Sequence, residues 1–255
     1  QTCALPILLD ANTVKLVATG DTVRAKHILI ATGAAPHYGE DIPGIEHVIS
    51  SNEALHLRQL PKRIVIQGGG YIALEFATIF NGLGSEVTVI YRGENILRGF
   101  DDEVRAHLRG ELEKRGIKIV TKQVVKKIDK LGDELRVAFS EGDAVTVDQV
   151  MFATGRKPNI AGLGLETSGV EIAKSGGIAV DEFSQTSVRN IHAVGDVTNR
   201  INLTPVAIRE GHAFADTVFG GKPTRVNHSD VPTAVFSEPE VGTVGLTEEI
   251  GRAHV

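Results

Sequence analysis

The 255-residue sequence contains no tryptophan, one methionine and one cysteine. A single cysteine excludes an internal disulfide framework and a thiolate metal cage. No run of about 18 apolar residues occurs, so the sequence predicts no transmembrane helix, and its first residues show no signal-peptide pattern. A net charge of −5 gives no reason to expect nucleic acid or an anionic membrane as a partner.

Glycine, in contrast, is abundant, with 28 residues. Hydrophobic residues make up 42% and charged residues 23%, which is ordinary globular composition. The length suffices for one large domain or two modest ones. We therefore expect a globular fold with loops that approach a ligand closely.

The two ends of the chain are unusual as nucleotide sequence. The first seven residues, QTCALPI, back-translate to CAGACGTGTGCTCTTCCGATC, and the last seven, EIGRAHV, to GAGATCGGAAGAGCACACGTC. Apart from the outermost bases, each string is the reverse complement of the other, and both look like sequencing-adapter DNA. We therefore expect residues 1–7 and 249–255, including Cys3, to be adapter-derived and residues 8–248 to be native.

A glycine-rich turn follows a short apolar strand at Arg63–Gln67. Gly68 and Gly70, with Ala73 as the small third residue, form the dinucleotide-binding fingerprint in the strand–turn–helix setting that it requires. The first glycine permits the tight turn and the second permits close approach of a pyrophosphate to the helix N-terminus. We expect the helix to bury a face made of Ile72, Phe76, Ile79, Phe80 and Leu83.

The end of the next strand indicates which dinucleotide binds. NAD sites place an acid there for the ribose 2′-hydroxyl group, but this strand ends Tyr91-Arg92, and Arg98 follows. Guanidinium groups bind a 2′-phosphate well and a carboxylate repels it. The pattern favours NADP over NAD, the alternative being two solvated surface arginines.

Other elements are less specific. Residues 8–18 and 22–30 alternate in polarity around Gly20-Asp21, which predicts a hairpin. Thr204-Pro205 predicts a helix start with Thr204 as its cap, and this positive end would favour an anionic ligand near Gly195-Asp196. His192 and His228 have no second ligand at metal spacing and are predicted to be structural, with no metal site.

Two residues of the glycine-turn helix allow two interpretations. Glu75 is a carboxylate near a helix N-terminus, where the helix dipole alone stabilises it. Tyr71, directly after the glycines, could simply pack against its neighbours. Spacing does not decide between these structural roles and a functional one.

Taken together, seven segments resemble the flavin-dependent pyridine nucleotide–disulfide oxidoreductase family. They are His27–Gly33, Gly68–Ala73 with Glu75, Ile96–Asp101, Ala153–Arg156, Val194–Asp196, Leu203–Pro205 and Val241–Leu246. The resemblance covers almost all of residues 8–248. It implies an α/β fold with two Rossmann-like nucleotide-binding lobes, in which an NADPH domain is inserted into a split FAD domain, followed by the start of an α+β dimerisation domain.

The resemblance also implies roles for individual residues. Asp196 would bond the ribityl chain of FAD, and Leu203 and Thr204 would contact the flavin pyrimidine. Tyr71 would cover the flavin until nicotinamide displaces it, and Glu75 would pair with a lysine beside the flavin, although that lysine is missing here. Arg92 and Arg98 would hold the 2′-phosphate. The remaining cofactor-binding positions implied by the motifs are Thr32, Gly33, Gly68, Gly70, Ile72, Gly155, Arg156 and Gly195.

Electrons would pass from NADPH to FAD, to a Cys-x-x-x-x-Cys disulfide and to glutathione disulfide, in a cytoplasmic homodimer. The cysteine pair and a catalytic histidine are not in this chain, so we expect the fragment to be inactive. Implied boundaries are 8–34 and 158–228 for the FAD domain, 35–157 for the NADPH domain and 229–248 for the dimerisation domain. Alternatives are a trypanothione-reducing member of the family, or a nucleotide-binding module without redox activity.

Overall fold

A computed structural model describes residues 6–39 and 41–253. Its strands are β1 (Pro6–Leu8), β2 (Thr13–Leu16), β3 (Thr22–Arg24), β4 (Ile28–Ile30), β5 (Ala34–Pro36), β6 (Arg63–Gln67), β7 (Glu86–Tyr91), β8 (Lys118–Thr121), β9 (Val125–Leu131), β10 (Glu134–Phe139), β11 (Val145–Val147), β12 (Gln149–Phe152), β13 (Arg156–Pro158), β14 (Ile191–Ala193), β15 (Thr233–Val235) and β16 (Val241–Thr243). Its helices are α1 (Ser51–Ala54), α2 (Tyr71–Gly82), α3 (Asp102–Lys114), α4 (Leu165–Ser168), α5 (Thr204–Val218) and α6 (Glu248–Ala253), with two 3-10 turns at Ile45–His47 and Gly195–Thr198.

The chain divides into two compact units. The first unit comprises Gln1–Ala35 and Arg156–His228, and the second comprises Pro36–Gly155 and Ser229–Val255. The mixture of helices and sheets confirms the α/β class. Cys3 and the outermost parts of the two predicted adapter-derived tails lie outside the described residues. Within the described residues, no helix has both the length and the apolar character needed to cross a membrane.

The second unit is built on a four-stranded parallel sheet in the order β12-β6-β7-β8. Ile64, Val65 and Ile66 of β6 are each at most 1% exposed. Both faces of this strand are therefore covered, which explains why its sequence is a continuous apolar run rather than an alternating one.

Layers of different composition cover the two faces of this sheet. Ile64 and Ile66 pack with residues of α2 and α3 in one hydrophobic cluster. Val65 packs on the opposite side with residues of the antiparallel sheet β11-β10-β9. The alternation of side chains along β6 thus joins a helical layer, a parallel sheet and an antiparallel sheet.

Helix α2 buries a different face from the predicted one. Its buried residues are Ala73, Leu74, Ala77 and Phe80. Ile79 and Leu83, predicted to be buried, are 48% and 64% exposed, and Ile72 and Phe76 are half-buried. The prediction is confirmed for Phe80 and wrong for Ile79 and Leu83, because it followed the largest apolar side chains, whereas small alanines let the helix backbone approach the sheet.

Gly68 shows how close that approach is. Its φ is +149°, and a Cβ atom there would lie 2.4 Å from the carbonyl oxygen of Ala153 and 3.1 Å from the Cβ of Ala73. Its N–H donates to the carbonyl of Ile90 at 2.9 Å. Only glycine fits between the ends of the neighbouring strands and the first turn of α2.

The first unit contains parallel strands β4 and β14 and the antiparallel sheet β1-β2-β3. The predicted hairpin is confirmed only for β2 and β3. An Asx turn, in which the Asn12 N–H donates to Asp10 Oδ1 at 2.7 Å, divides residues 8–18 into two strands. Ile28–Ile30 instead leaves the hairpin and pairs with β14.

His192 on β14 is buried and packs edge-on against Phe214 of α5, with ring centroids 5.0 Å apart. Its Nδ1 has no hydrogen-bond partner among the described residues. Burial, reinforced by nearby His27, lowers the pKa of His192 below its ordinary 6.5. The ring is therefore neutral in the folded protein at neutral pH.

We expect this histidine to make the protein less stable in acid. Below pH 6.5 the unfolded chain binds a proton on His192 that the folded chain excludes, so stability falls as the pH drops from 6.5 towards the lowered pKa. His192→Leu should lose less stability than the unmutated chain between pH 7.5 and 5.5. Urea unfolding at both pH values measures this difference, and equal losses would contradict the assignment.

Replacing Gly68 by alanine should lower the free energy of unfolding by about 2–5 kcal/mol, since the new Cβ collides with backbone at positive φ. Gly110→Ala within α3 is the matched control, because no atom lies within 4 Å of its Cβ position. This control should raise stability by about 0.5–1 kcal/mol. Urea unfolding followed by circular dichroism measures both, and an unchanged Gly68→Ala protein would refute the packing described.

Candidate functional site

The N-terminus of α2 is open towards solvent. Gly70 is its cap residue, no side chain caps this end, and no atom lies within 4 Å of the position of a Cβ atom on Gly70. The first N–H groups of a helix have no partners within the helix and carry partial positive charge. The turn Gly68–Gly70 therefore presents backbone donors where a phosphate group can approach.

The middle glycine of the turn is held by the end of β7 and the loop after it. A Cβ atom on Gly69 or on Gly93 would lie 2.5 Å from the Tyr91 ring, so that ring packs directly against both backbones. The N–H of Leu97 donates to the carbonyl of Gly69 at 2.7 Å. The spacing rule for the fingerprint leaves this middle position free, so sequence reasoning missed the role of Tyr91.

These two contacts bring Arg92 and Arg98 next to the turn. Each arginine directly follows a residue that touches Gly69, Tyr91 in one case and Leu97 in the other. Both arginines are exposed, and neither has a hydrogen bond or ion pair with another residue in the described part of the chain.

The one acid between the arginines is neutralised by a neighbour. Glu94 pairs with Lys122 at 3.0 Å, and the Lys122 ammonium group lowers the pKa of Glu94 below its ordinary value. The loop therefore presents two cations without an adjacent unpaired carboxylate.

Tyr71 and Ile72 begin α2 and are half-buried. Glu75, one turn further on, accepts a hydrogen bond from the backbone N–H of Phe236 at 3.0 Å. In this structure the Glu75 carboxylate thus binds backbone of its own unit. The roles of Tyr71 and Glu75 beside a flavin stay predictions.

Thr32 and Gly33 lie in the first unit and are held by Asn159. The Thr32 hydroxyl group donates to the Asn159 carbonyl at 2.8 Å, and the Asn159 side chain donates back to the Thr32 carbonyl at 2.9 Å. The Asn159 N–H donates to the carbonyl of Gly33 at 2.9 Å. Sequence reasoning did not single out Asn159.

Gly155 and Arg156 are neighbours in sequence but belong to different units. Gly155 accepts a hydrogen bond from the His37 N–H at 2.9 Å in the second unit. In the first unit, the Arg156 Nε lies 3.7 Å from Asp196 Oδ2 and its guanidinium group donates to the Ala34 carbonyl. The structure therefore brings Arg156 together with Asp196.

Asp196 lies in the turn Gly195–Thr198, directly before α5 in the fold. Leu203 is the cap residue of α5 and no side chain caps it. Thr204, predicted to be the cap, is the first helical residue, because Leu203 is the last residue with extended backbone. The buried Asn202 Oδ1, next to this end, has no hydrogen-bond partner among residues 6–39 and 41–253.

Glu210 of α5 is a buried carboxylate that sequence reasoning missed. It is 1% exposed, and its Oε2 accepts the Gly195 N–H at 2.6 Å. Its Oε1 lies 2.8 Å from the Arg200 guanidinium group and 2.7 Å from His228 Nε2. An interior acid on a helix that also carries exposed polar residues gives no distinct signal in the sequence.

In the described residues, no group of three or more His, Cys, Asp or Glu side chains has a geometry that could hold a metal ion. The described contacts of His192 and His228 are with Phe214 and Glu210, respectively. The predicted site residues thus form one group around the glycine turn in the second unit and another around Gly195 in the first.

The chain is similar to known proteins along most of its length. Residues 4–211 match the family model of the pyridine nucleotide-disulphide oxidoreductases. A glutathione reductase of Burkholderia cepacia is 53% identical over 93% of this chain and 53% of its own length. A trypanothione reductase of Trypanosoma congolense is 50% identical over 90% of this chain and 47% of its own length.

A solved structure of a flavoprotein disulfide reductase is also similar to this chain. The HOCl-induced flavoprotein disulfide reductase RclA from Escherichia coli superposes with a TM-score of 0.91 at 29% identity, over 97% of this chain and 57% of the other. The chain spans about half the length of the curated relatives that it matches. With the family model matched along most of its length, the chain belongs to the pyridine nucleotide-disulphide oxidoreductase family.

Proposed function

We propose that the chain is part of an NADPH-dependent flavoprotein that reduces glutathione disulfide. The observation that carries the proposal is the glycine turn with two unpaired arginines beside it and no acid at the end of β7. The family uses a pyridine nucleotide, and these arginines favour the phosphorylated form, because a 2′-phosphate accepts charge-assisted hydrogen bonds from guanidinium groups.

In the second unit, the chain would bind and orient NADPH. Backbone N–H groups at the start of α2 would hold the pyrophosphate, and Arg92 and Arg98 would hold the 2′-phosphate. Tyr71, the first residue of α2, and Glu75 would take the roles that the family resemblance implies, Tyr71 as the ring that nicotinamide displaces and Glu75 as the partner of a lysine. These residues would orient the dinucleotide rather than take part in bond changes.

In the first unit, the residues fit the FAD contacts implied by the family. Asp196 and the uncapped N-terminus of α5 offer an acceptor and backbone donors, and the unpartnered Asn202 Oδ1 lies next to that terminus. Asp196, Leu203 and Thr204 would hold the flavin, with Thr32 and Gly33 along the same cofactor. FAD, when bound, supplies the electron relay from nicotinamide to a disulfide.

The substrate proposal rests on relatives. Glutathione reductases are about half identical to this chain across most of its length, so we propose glutathione disulfide as the substrate of the whole protein. Because the chain has one cysteine, the redox cysteine pair would come from other parts of that protein, and we propose the same for the acid histidine. We further propose that it is a homodimer of the cytoplasm.

Trypanothione disulfide is the second candidate substrate. The observation that favours it is the 50% identity to a trypanothione reductase, and the stretch Ile96–Asp101 suits either activity. The short connection Gly82–Ser85, without an insertion before β7, favours glutathione.

Replacing Arg92 or Arg98 by glutamine should weaken NADPH binding by about 10-fold or more, since each change removes a charged hydrogen bond to the phosphate. NADH binding should change by less than about 2-fold, because NADH lacks the 2′-phosphate. Titration calorimetry of the chain with each nucleotide measures both affinities.

Arg58→Gln is the control for this experiment. Arg58 is exposed in the same unit but precedes β6, at the end of the strand opposite the glycine turn. This variant should bind both nucleotides as the unmutated chain does. Equal affinity of the unmutated chain for NADPH and NADH would remove the case for a phosphate site.

The disulfide activity is tested on the complete reading frame. Sequencing the source locus should reveal an upstream Cys-x-x-x-x-Cys and should lack codons for the two terminal heptapeptides. The encoded protein should oxidise NADPH with glutathione disulfide faster than with trypanothione disulfide, while the 255-residue chain alone should do neither. A start codon near Leu8 would favour a nucleotide-binding module instead. Turnover by the 255-residue chain would contradict the proposal that the redox cysteine pair lies in another part of the protein.

A further inference from the structure

The buried Glu210 carboxylate has a contact pattern that divides its two oxygens between different tasks. Oε1 faces two cationic or protonatable groups, Arg200 at 2.8 Å and His228 at 2.7 Å. Oε2 accepts one backbone N–H, that of Gly195, at 2.6 Å. Oε1 is thus paired with two side chains, whereas Oε2 holds the backbone N–H of Gly195.

Gly195 lies in a tight turn. Gly195 has a φ of +74°, and a Cβ atom there would lie 3.2 Å from the Cβ of Ala207. Ala207 and Glu210 are three residues apart, so they lie on the same face of α5. Helix α5 therefore contacts the turn with a methyl group and a carboxylate at once.

Leu203 is the cap residue of the same helix, and Thr204 is its first residue. Helix α5 thus carries the proposed pyrimidine contact at its N-terminus. Through Glu210 it also binds the N–H of Gly195, and the next residue, Asp196, is the proposed ribityl contact. Helix α5, through its N-terminus and its buried carboxylate Glu210, thus joins the two proposed flavin contacts.

Burying a carboxylate costs free energy that its partners about offset, so a well-packed apolar residue could serve stability equally well. An apolar side chain could not, however, accept the Gly195 N–H. The Glu210 carboxylate therefore fixes the position of the Gly195 amide, which apolar packing would not do.

We propose that Glu210 is a positioning residue of the flavin site, which holds the Gly195 amide so that Asp196 keeps a fixed distance from the N-terminus of α5. Arg200 and His228 support it by pairing with Oε1 and holding the carboxylate in place. This inference rests on the proposed function, since it assumes that FAD binds to Asp196 and the start of α5.

The test uses the 255-residue chain and two measurements on Glu210→Met, which keeps a side chain of similar length and removes both acceptor oxygens. The first is amide hydrogen exchange of Gly195 relative to Ala193, whose N–H donates to the Ser184 carbonyl at 3.0 Å; the ratio cancels any change in global stability. The second is the dissociation constant for FAD from NMR titration, at a temperature where circular dichroism shows the variant folded.

We expect the Gly195 exchange, relative to Ala193, to rise by about 10-fold and FAD affinity to fall by a similar factor. Asp216→Asn is the control, because it removes the same charge from an exposed position on the same helix. Arg200→Gln, which keeps the carboxylate but removes one support, should give a smaller change in the same direction and replaces Glu210→Met should that variant not fold.

An unchanged exchange ratio in these variants would overturn the inference whatever happens to flavin. So would an FAD affinity in Glu210→Met that equals that of Asp216→Asn. Failure of the unmutated chain to bind FAD would instead contradict the proposed flavin site, and the exchange ratio would still decide whether Glu210 holds the turn.

Discussion

The close packing of backbone at Gly68–Gly70 is the constraint on which the second unit depends. The end of β12 approaches Gly68 through the Ala153 carbonyl, the end of β7 packs the Tyr91 ring on Gly69, and the loop after β7 donates the Leu97 N–H to the same residue. Three separate segments are thereby fixed against one turn. Its consequence is that the start of α2 stays open and two arginines lie beside it.

In the first unit a backbone turn is also held in place, but by a different kind of contact. There a turn at Gly195 is held by a carboxylate from the following helix rather than by close contact of glycines. In both units a short backbone turn is fixed by contacts with groups from other segments of the same unit. The proposed cofactor contacts, such as Asp196 and the start of α5, lie beside these turns.

The sequence was sufficient for the features that short segments determine. Glycine spacing after an apolar strand predicted the strand–turn–helix unit and the strand that follows it. Features that depend on distant parts of the chain were not predictable. The alanine face of α2 is chosen by the sheet beneath it, the Tyr91 contact requires β7 beside β6, and Glu210 becomes interior only when α5 packs on Gly195. The roles of the arginines and of Asp196 stay predictions until a cofactor is bound.

The central claim is that the glycine turn and the two arginines form one binding site. It is tested most directly by following every backbone amide and arginine side-chain NMR signal during titration with NADP⁺. The account predicts that the largest shifts occur at Gly69–Ile72 and at the side chains of Arg92 and Arg98. Largest shifts elsewhere, with these signals unmoved at saturation, would contradict it.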